Sequence, residues 1–238
     1  MKFRDKFINL IDLFWEFPCP LCGCDRQHGG SPNSFCSDCL EQLPLLHGKR
    51  CPGCGGELEG IFGFCSSCLK MPPRPWINAM SIMKMEGLAE KAIYKLKFSG
   101  STCMARPLTE LGAPLLFAPD FANADMIVPV PLHYTRQLLR SYNQSELLAK
   151  MLSRRMHKPC CRVLKKIRPT IRQATLSREE RLKNLRGAFA AASKAQISGK
   201  KILLVDDVIT TGATLHACAE VLMNNGAEYV TVFTVARR

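Results

Sequence analysis

Apolar residues in the C-terminal two-thirds of the chain form short runs separated by stretches of helical spacing. The runs predict three strands, namely Trp76–Met85, Met126–Val130 and Lys201–Val205, and alternating apolar and polar positions predict a fourth, Tyr229–Val235. Apolar residues three and four positions apart predict helices between them, namely Leu88–Phe98, Thr109–Phe117 as part of a helix, Asn143–Met156 and Ala213–Asn224. Strands that alternate with helices are typical of an α/β fold with a mostly parallel sheet.

The N-terminal part follows a different pattern. Apolar residues at helical spacing from Phe3 to Phe14 predict a short amphipathic packing helix; a membrane-surface anchor is the alternative, but the polar face mixes both signs of charge. Residues 19–71 are rich in Cys, Gly, Pro and Ser and cannot bury much apolar surface without a crosslink. The prolines of Met71–Pro75 predict a stiff boundary. We therefore expect a module over residues 1–75 and a larger domain over 76–238.

Four Cys-x-x-Cys pairs lie in the N-terminal module. Two such pairs can surround one zinc ion with four thiolates, and the candidate ligands are Cys19, Cys22, Cys36, Cys39, Cys51, Cys54, Cys65 and Cys68. Pairing in sequence order gives two zinc ribbons in tandem, while an interleaved pairing, or a single filled site, stays open at this point. Cys24 is a spare thiol that could replace a neighbour. Because four thiolates leave no open position for substrate, we expect the one or two zinc ions to be structural.

Composition and charge narrow the functional classes. With 238 residues, 47% of them hydrophobic, the chain can bury an ordinary core, which excludes a disordered or fibrous protein. We expect a cytoplasmic protein without membrane insertion, because neither a signal peptide nor a long apolar run is present. Residues 131–186 carry fifteen Lys and Arg against three Asp and Glu, out of a net charge of +13 for the chain. Such a block indicates a polyanionic partner, either nucleic acid or a phosphate-rich small molecule, unless it is only a solvated basic face.

The most specific motif is a strand that leads through two acidic residues into a Thr/Gly loop and a helix. It runs from Ile202 to Thr214, and Asp206 and Asp207 form the acidic pair. Free N–H groups at such a helix start bind phosphate, and adjacent carboxylates suit the two hydroxyls of a sugar. The loop is neither a Walker A loop nor a dinucleotide fingerprint. It resembles the phosphoribosyl pyrophosphate (PRPP) loop of type I phosphoribosyltransferases.

Further motifs extend the resemblance over nearly the whole chain, from about residue 17 to the end. Besides the cysteine module, they are Leu96-Lys97-Phe98, Val128-Pro129-Val130-Pro131-Leu132, Arg140-Ser141-Tyr142-Asn143-Gln144, Arg168-x-Thr170-x-x-Gln173-x-x-Leu176, and Arg181-x-x-Asn184 with Ala188-Phe189. Together they resemble the ComF (GntX-like) family, which is associated with DNA uptake and natural transformation. Ser141-Tyr142 departs from the Gly-Phe expected there. The resemblance implies a type I phosphoribosyltransferase-like parallel sheet core with a small N-terminal double zinc-ribbon module.

The resemblance also implies roles for individual residues. Asp206 and Asp207 would be catalytic and contact the ribose hydroxyls of PRPP, with Mg²⁺ on its pyrophosphate. The remaining PRPP-binding residues would be Val208, Ile209, Thr210, Thr211, Gly212, Ala213 and Thr214 in the loop, and Leu132, His133 and Arg136 after the preceding core strand. A flexible basic loop that closes over the substrate would carry Arg168, Arg172, Gln173, Arg178 and Arg181. The implied reaction is displacement of pyrophosphate from PRPP.

Three functions are compatible with these features. The first is a PRPP-binding, phosphoribosyltransferase-like protein that acts in DNA uptake, handles incoming single-stranded DNA and contacts other uptake proteins, with PRPP as substrate or only as regulator. The second is a non-catalytic, zinc-containing adaptor for single-stranded DNA, although Tyr134, Tyr142 and Phe189 provide few aromatic rings for base stacking. The third is a nucleobase salvage phosphoribosyltransferase, for which the sequence shows no base pocket.

Overall fold

The computed structural model describes residues 18–25, 34–58, 60, 63–98, 102–132, 142–168, 180 and 184–238. The predicted N-terminal helix lies outside the described residues. Six strands are described: β1 Asn78–Lys84, β2 Met126–Pro129, β3 Leu164–Lys166, β4 Phe189–Ala191, β5 Lys201–Ile209 and β6 Tyr229–Arg237. The described α-helices are α1 Ser37–Gln42, α2 Ser66–Leu69, α3 Leu88–Phe98, α4 Ala105–Gly112, α5 Pro119–Ala122, α6 Gln144–Met156 and α7 Ala213–Asn224.

Four parallel strands form the main sheet in the order β1-β6-β5-β2. The register places Ile202 of β5 beside both Met126 of β2 and Val230 of β6. All four predicted strands are present, and the parallel α/β fold is confirmed. The last two are longer than their apolar runs, because Asp206 to Ile209 continue to pair with β6 beyond the point at which the run ends.

Both faces of the sheet are covered, which explains why β2 and the first part of β5 are continuous apolar runs. β6 alternates in sequence, yet Thr231 and Thr234 are buried as well. In β5, Leu203 and Val205 face a core that also contains residues of α3, α4 and α6. Ile202 and Leu204 face a second core that contains residues of α7. The two cores lie on opposite sides because successive side chains of a strand point to opposite faces.

The predicted helix at Thr109–Phe117 is differently placed. The α-helix is α4, which ends at Gly112, and Ala113–Phe117 is a 3₁₀-helix. Pro114 lies in the first turn of that 3₁₀ segment and has no backbone N–H to continue the α-helical ladder. The sequence pattern did not predict the antiparallel ribbon of β3 and β4, since three-residue strands are too short to show a periodicity.

The cysteine-rich segment covers the edge of the main sheet at β1. Leu45 forms an antiparallel bridge with Met83, and backbone hydrogen bonds join Leu46 N to Ile82 O and Lys84 N to Pro44 O. These bonds satisfy groups that an uncovered edge strand would leave open to pairing with another chain. The segment therefore protects the sheet as well as carrying the cysteines.

Candidate functional site

The two adjacent carboxylates lie in the carboxyl-terminal half of β5, and each is held by a different helix. Ser145, in the first turn of α6, donates its hydroxyl to Asp206 Oδ1 at 2.7 Å, and the Asp207 backbone N–H donates to the same oxygen at 2.9 Å. Lys97 Nζ, near the end of α3, lies 3.1 Å from Asp207 Oδ2, with both side chains largely shielded from solvent. The sheet edge thus presents two carboxylates in fixed orientations.

Burial dominates the electrostatics of Asp206. Loss of solvation raises the pKa of its carboxyl to about 7, and the charge of Asp207 acts in the same direction. The Ser145 hydroxyl, the Asp207 N–H and the Lys97 charge partly offset that rise in pKa. A ligand that brought hydroxyl donors or a cation to this carboxylate would favour its charged form.

The loop after β5 has the geometry of an anion site. Gly212 begins α7 with φ +75°, in the left-handed region that favours glycine, and its carbonyl accepts the His216 N–H at 2.8 Å. Thr211 Oγ1 accepts the Ala213 N–H at 3.4 Å. This turn aims the positive end of the dipole of α7, a twelve-residue helix, at the loop.

A cavity of about 360 Å³ brings part of the predicted PRPP site together. The predicted residues that line it are Leu132, Asp206, Asp207, Val208, Thr210 and Thr214. The other loop residues do not line it: Ile209 and Ala213, the first residue of α7, lie in the second core, and Thr211 is buried. His133, Arg136, Arg172, Gln173, Arg178 and Arg181 lie outside the described residues.

Arg168, predicted in the flexible basic loop, is described and makes hydrogen bonds to residues that follow the predicted loop. Its Nη2 donates to the carbonyl oxygens of Asn184 and Arg186, at 3.1 and 2.7 Å. These bonds join the two ends of the segment between residues 168 and 184. Arg168 thereby connects the chain before the loop to the chain after it.

Several cavity residues were not among the predicted site residues. Lys97, Ser145, Lys166 and Arg238 all line the cavity, and Lys97 and Ser145 contact the acidic pair. Lys97 and Ser145 stand inside or beside motifs of the sequence, but nothing in the linear pattern connects them with the acidic pair. Only the packing of α3 and α6 beside β5 shows their place.

The segment before α6 positions Ser145. Asn143 caps the helix by accepting the Ser145 N–H at 3.1 Å, and its side-chain amide donates to Val130 O at 3.0 Å. Tyr142 donates its hydroxyl to Leu96 O at 2.7 Å, near the end of α3. A phenylalanine could not make this bond, so the departure at Tyr142 adds an anchor between α3 and α6.

The eight predicted zinc ligands form two tetrads in sequence order. One tetrad is Cys19, Cys22, Cys36 and Cys39, the other is Cys51, Cys54, Cys65 and Cys68, and the sulfur atoms of each lie within 4.8 Å of one another. Sγ distances of 3.7 Å, between Cys22 and Cys36 and between Cys54 and Cys65, match the spacing of about 3.8 Å expected around a tetrahedral zinc with Zn–S bonds of about 2.3 Å. Each tetrad could therefore hold one structural zinc ion.

The two tetrads are built and anchored alike. A backbone N–H donates to sulfur at the same place in each, Cys36 N to Cys19 Sγ and Cys65 N to Cys51 Sγ. In each tetrad a proline lies between the first two ligands, and its carbonyl oxygen accepts a hydrogen bond from a side chain outside the tetrad. Lys95 Nζ donates to Pro20 O, and Trp76 Nε1 donates to Pro52 O. The first tetrad packs in the core with α3, and the second in the core with α7.

Comparison with known proteins agrees with this architecture. The chain is 33% identical over 233 residues to Competence protein F of Haemophilus influenzae, covering 94% of this chain and 98% of the relative. The family model of the phosphoribosyl transferase domain matches residues 143–238. The chain belongs to the ComF family of phosphoribosyltransferase-like proteins. Another member is DNA utilization protein YhgH of Escherichia coli K12, which is 34% identical over 79% of this chain and 83% of the relative. Competence protein ComFC of Bacillus subtilis 168 is 27% identical over 85% of this chain and 83% of the relative.

Solved structures similar to this ComF-family chain include two proteins. One is the glutamine PRPP amidotransferase of B. subtilis, with a TM-score of 0.42 and 21% identity over 60% of this chain and 30% of that protein. The other is a purine phosphoribosyltransferase of Pyrococcus horikoshii, with a TM-score of 0.35 and 18% identity over 55% of this chain and 80% of that protein. Among the described residues, no helix is long and apolar enough to cross a membrane.

Proposed function

We propose that this ComF-family protein binds PRPP together with Mg²⁺ in the cavity at the carboxyl end of β5 and acts in DNA uptake. The observation that carries the proposal is the fixed acidic pair directly before the Gly212 turn. Asp206 and Asp207 accept the ribose hydroxyls, and the loop from Thr210 to Thr214 holds the 5′-phosphate. The family membership supports this assignment.

The acidic pair and the lysine beside it fit the chemistry of the ligand. Mg²⁺ is a hard cation that takes carboxylate and phosphate oxygens, and when bound with PRPP it neutralises the departing pyrophosphate. Lys97 holds the Asp207 carboxylate in place, and Ser145 holds that of Asp206. If an acceptor is present, the site promotes displacement of pyrophosphate by positioning and charge rather than by a protein nucleophile.

The DNA-related part of the proposal has two supports. Relatives are named competence and DNA utilization proteins. Nearly all the excess positive charge lies in residues 131–186, which contain motifs of both the cavity and the basic loop. We propose that this stretch binds the backbone of incoming single-stranded DNA, a contact whose strength falls steeply with salt.

Calorimetric titration of Mg²⁺-PRPP into the zinc-loaded full chain tests the ligand. We expect saturable binding in wild type and none in the double variant Asp206→Asn/Asp207→Asn. Lys91→Met, an exposed change in the middle of α3, is the matched control and should bind like wild type. The absence of heat with folded wild type would refute PRPP binding.

Anisotropy of a labelled single-stranded oligonucleotide tests the second part. Neutralising Arg172, Arg178 and Arg181 to Gln should weaken binding and flatten its salt slope by about one unit or less for each lost phosphate contact. Neutralising the exposed Lys91, Lys194 and Lys200, which lie outside the basic stretch, should change neither. Equal effects of both sets, or no binding at low salt, would refute the DNA contact.

A further inference from the structure

Arg74 contacts the candidate phosphate loop from outside the cavity. It lies between Pro73 and Pro75 on the segment that joins the second tetrad to β1, so its backbone has little freedom. Its Nη2 donates to the Thr211 carbonyl at 3.1 Å, across 137 positions of sequence. Arg74 is not among the residues that line the cavity with the acidic pair.

The guanidinium of Arg74 also occupies the space beside Gly212. A Cβ atom on Gly212 would lie 2.9 Å from Arg74 Nη1 and 3.3 Å from its Cζ. Gly212 therefore suits this position in two ways, since its φ of +75° favours glycine and a side chain there would have to displace the guanidinium. The loop and the arginine are packed against each other.

Trp76 braces the same guanidinium and connects it with the second tetrad. Arg74 Cζ lies 5.1 Å from the Trp76 ring centroid, and Trp76 Nε1 donates to Pro52 O at 3.2 Å, between the ligands Cys51 and Cys54. The ring also meets His216, in the first turn of α7, edge to face at 6.4 Å. Contacts thus run without a break from the second tetrad to the start of α7.

The charge of Arg74 is suited to an anion bound at the loop. Its Nε and Nη1 are buried and have no hydrogen-bond partner among the described residues. A partly buried cation with open donors is costly, and an anion bound at the loop would offset part of that cost. Arg74 adds positive potential to the end of α7 that already carries the positive end of the helix dipole.

We infer that Arg74 is a positioning residue of the phosphate loop: braced by Trp76 and the second tetrad, it fixes Thr211 and Gly212 in place and adds positive charge to the anion site. The inference rests on the proposed PRPP site for its effect on affinity. Its effect on the loop itself does not depend on PRPP. A zinc ion held by the second tetrad would therefore support ligand binding at a distance.

The test compares Arg74→Met, which removes the charge and the donors, with Arg74→Lys, which keeps the charge. Amide hydrogen exchange over residues 208–216, measured without ligand, should quicken by about tenfold in Arg74→Met, because the bond to Thr211 is made by a charged donor. Arg74→Lys should restore part of the protection. Arg106→Met, an exposed change on α4, should leave exchange unchanged. Zinc content should be that of wild type in all three.

Titration with Mg²⁺-PRPP gives the second readout. Affinity should fall by about tenfold or more in Arg74→Met and partly recover in Arg74→Lys. If wild type binds no PRPP, the proposed function is refuted, and only the amide hydrogen exchange of the loop tests the role of Arg74. If Arg74→Met does not fold, the same exchange measurement on Trp76→Phe tests the inference. This variant keeps an aromatic ring but loses the hydrogen bond to Pro52. Unchanged loop exchange in a folded Arg74→Met, or in Trp76→Phe, would overturn the inference.

Discussion

Ser145 Oγ donates a 2.7 Å hydrogen bond to Asp206 Oδ1, joining two residues that lie 61 positions apart. The bond connects the first turn of α6 to the carboxyl end of β5, where the cavity opens. It stabilises the charged carboxylate, yet burial still raises the pKa of Asp206 to about 7. Asp206 is therefore a group whose protonation changes near neutral pH, and its cost to the fold depends on pH.

The pH dependence of stability reports this burial. The folded protein holds the Asp206 proton more tightly than the unfolded chain does, so Asp206 lowers the free energy of unfolding as pH rises from about 4 to about 7. Asp206→Asn removes this dependence. Between about pH 5.5 and pH 7, the stability of wild type relative to the variant should fall by up to about 1.4 kcal/mol per pH unit. Urea unfolding with zinc present measures it, and a constant difference would contradict the assignment.

Lys97→Met should destabilise the fold and alter the same titration. Removing the lysine leaves the largely buried Asp207 carboxylate without its cation, which should cost about 1–3 kcal/mol. The Lys97 charge also lowers the pKa of folded Asp206, so its loss should extend the pH-dependent decline in stability to higher pH. Denaturant unfolding across the same pH range checks both effects. Lys91→Met, an exposed change on the same helix, should change neither the stability nor its pH dependence. Equal changes in the two variants would refute the role of Lys97.

Periodicity and motif spacing predicted the parallel sheet, the helices α3, α6 and α7, and the two cysteine clusters. These features are local, because the pattern that indicates a strand, a helix or a Cys-x-x-Cys pair lies within a short stretch of consecutive residues. The site was only partly predictable. The ion pair of Lys97 with Asp207 joins residues 110 positions apart, and Arg74 meets Thr211 across 137. Such pairs arise from how elements pack, which a linear pattern does not contain.

Zinc content should distinguish the two tetrads. Each set of four sulfur atoms can hold its own ion, so we expect two zinc ions per chain, and Cys19→Ser and Cys51→Ser should each lose one. Cys24→Ser should keep both, because Cys24 lies outside the tetrads. Metal analysis of the purified variants makes the count. Loss of zinc from Cys24→Ser would show that this thiol is a ligand.

Cys51→Ser should also weaken PRPP binding more than Cys19→Ser does. The second tetrad connects through Pro52, Trp76 and Arg74 to the phosphate loop, whereas Pro20 of the first tetrad is bonded by Lys95 of α3. The comparison is made by calorimetry on variants that stay folded. Equal losses of affinity would contradict a specific connection from the second tetrad to the phosphate loop.

Gly55 and Gly23 follow the second ligand of their tetrads and make a matched pair. Both have positive φ, +70° and +84°, so alanine is strained at either position. At Gly55 the new Cβ would also lie 2.4 Å from Ser81 N and 2.6 Å from Met80 C, against the backbone of β1, whereas at Gly23 nothing lies within 4 Å. Ser81 also donates its hydroxyl to Cys54 O at 3.1 Å, so the knuckle cannot move away without losing that bond.

Alanine at these two positions should therefore have unequal effects. Gly23→Ala should cost about 1 kcal/mol, the strain of the left-handed conformation alone. Gly55→Ala adds a clash between two backbones, neither of which can rotate aside, and should cost about 3 kcal/mol or more. Denaturant unfolding of the zinc-loaded proteins measures both. Because the clash lies between the second tetrad and β1, a similar small cost at both positions would show that this knuckle does not pack on the sheet as described.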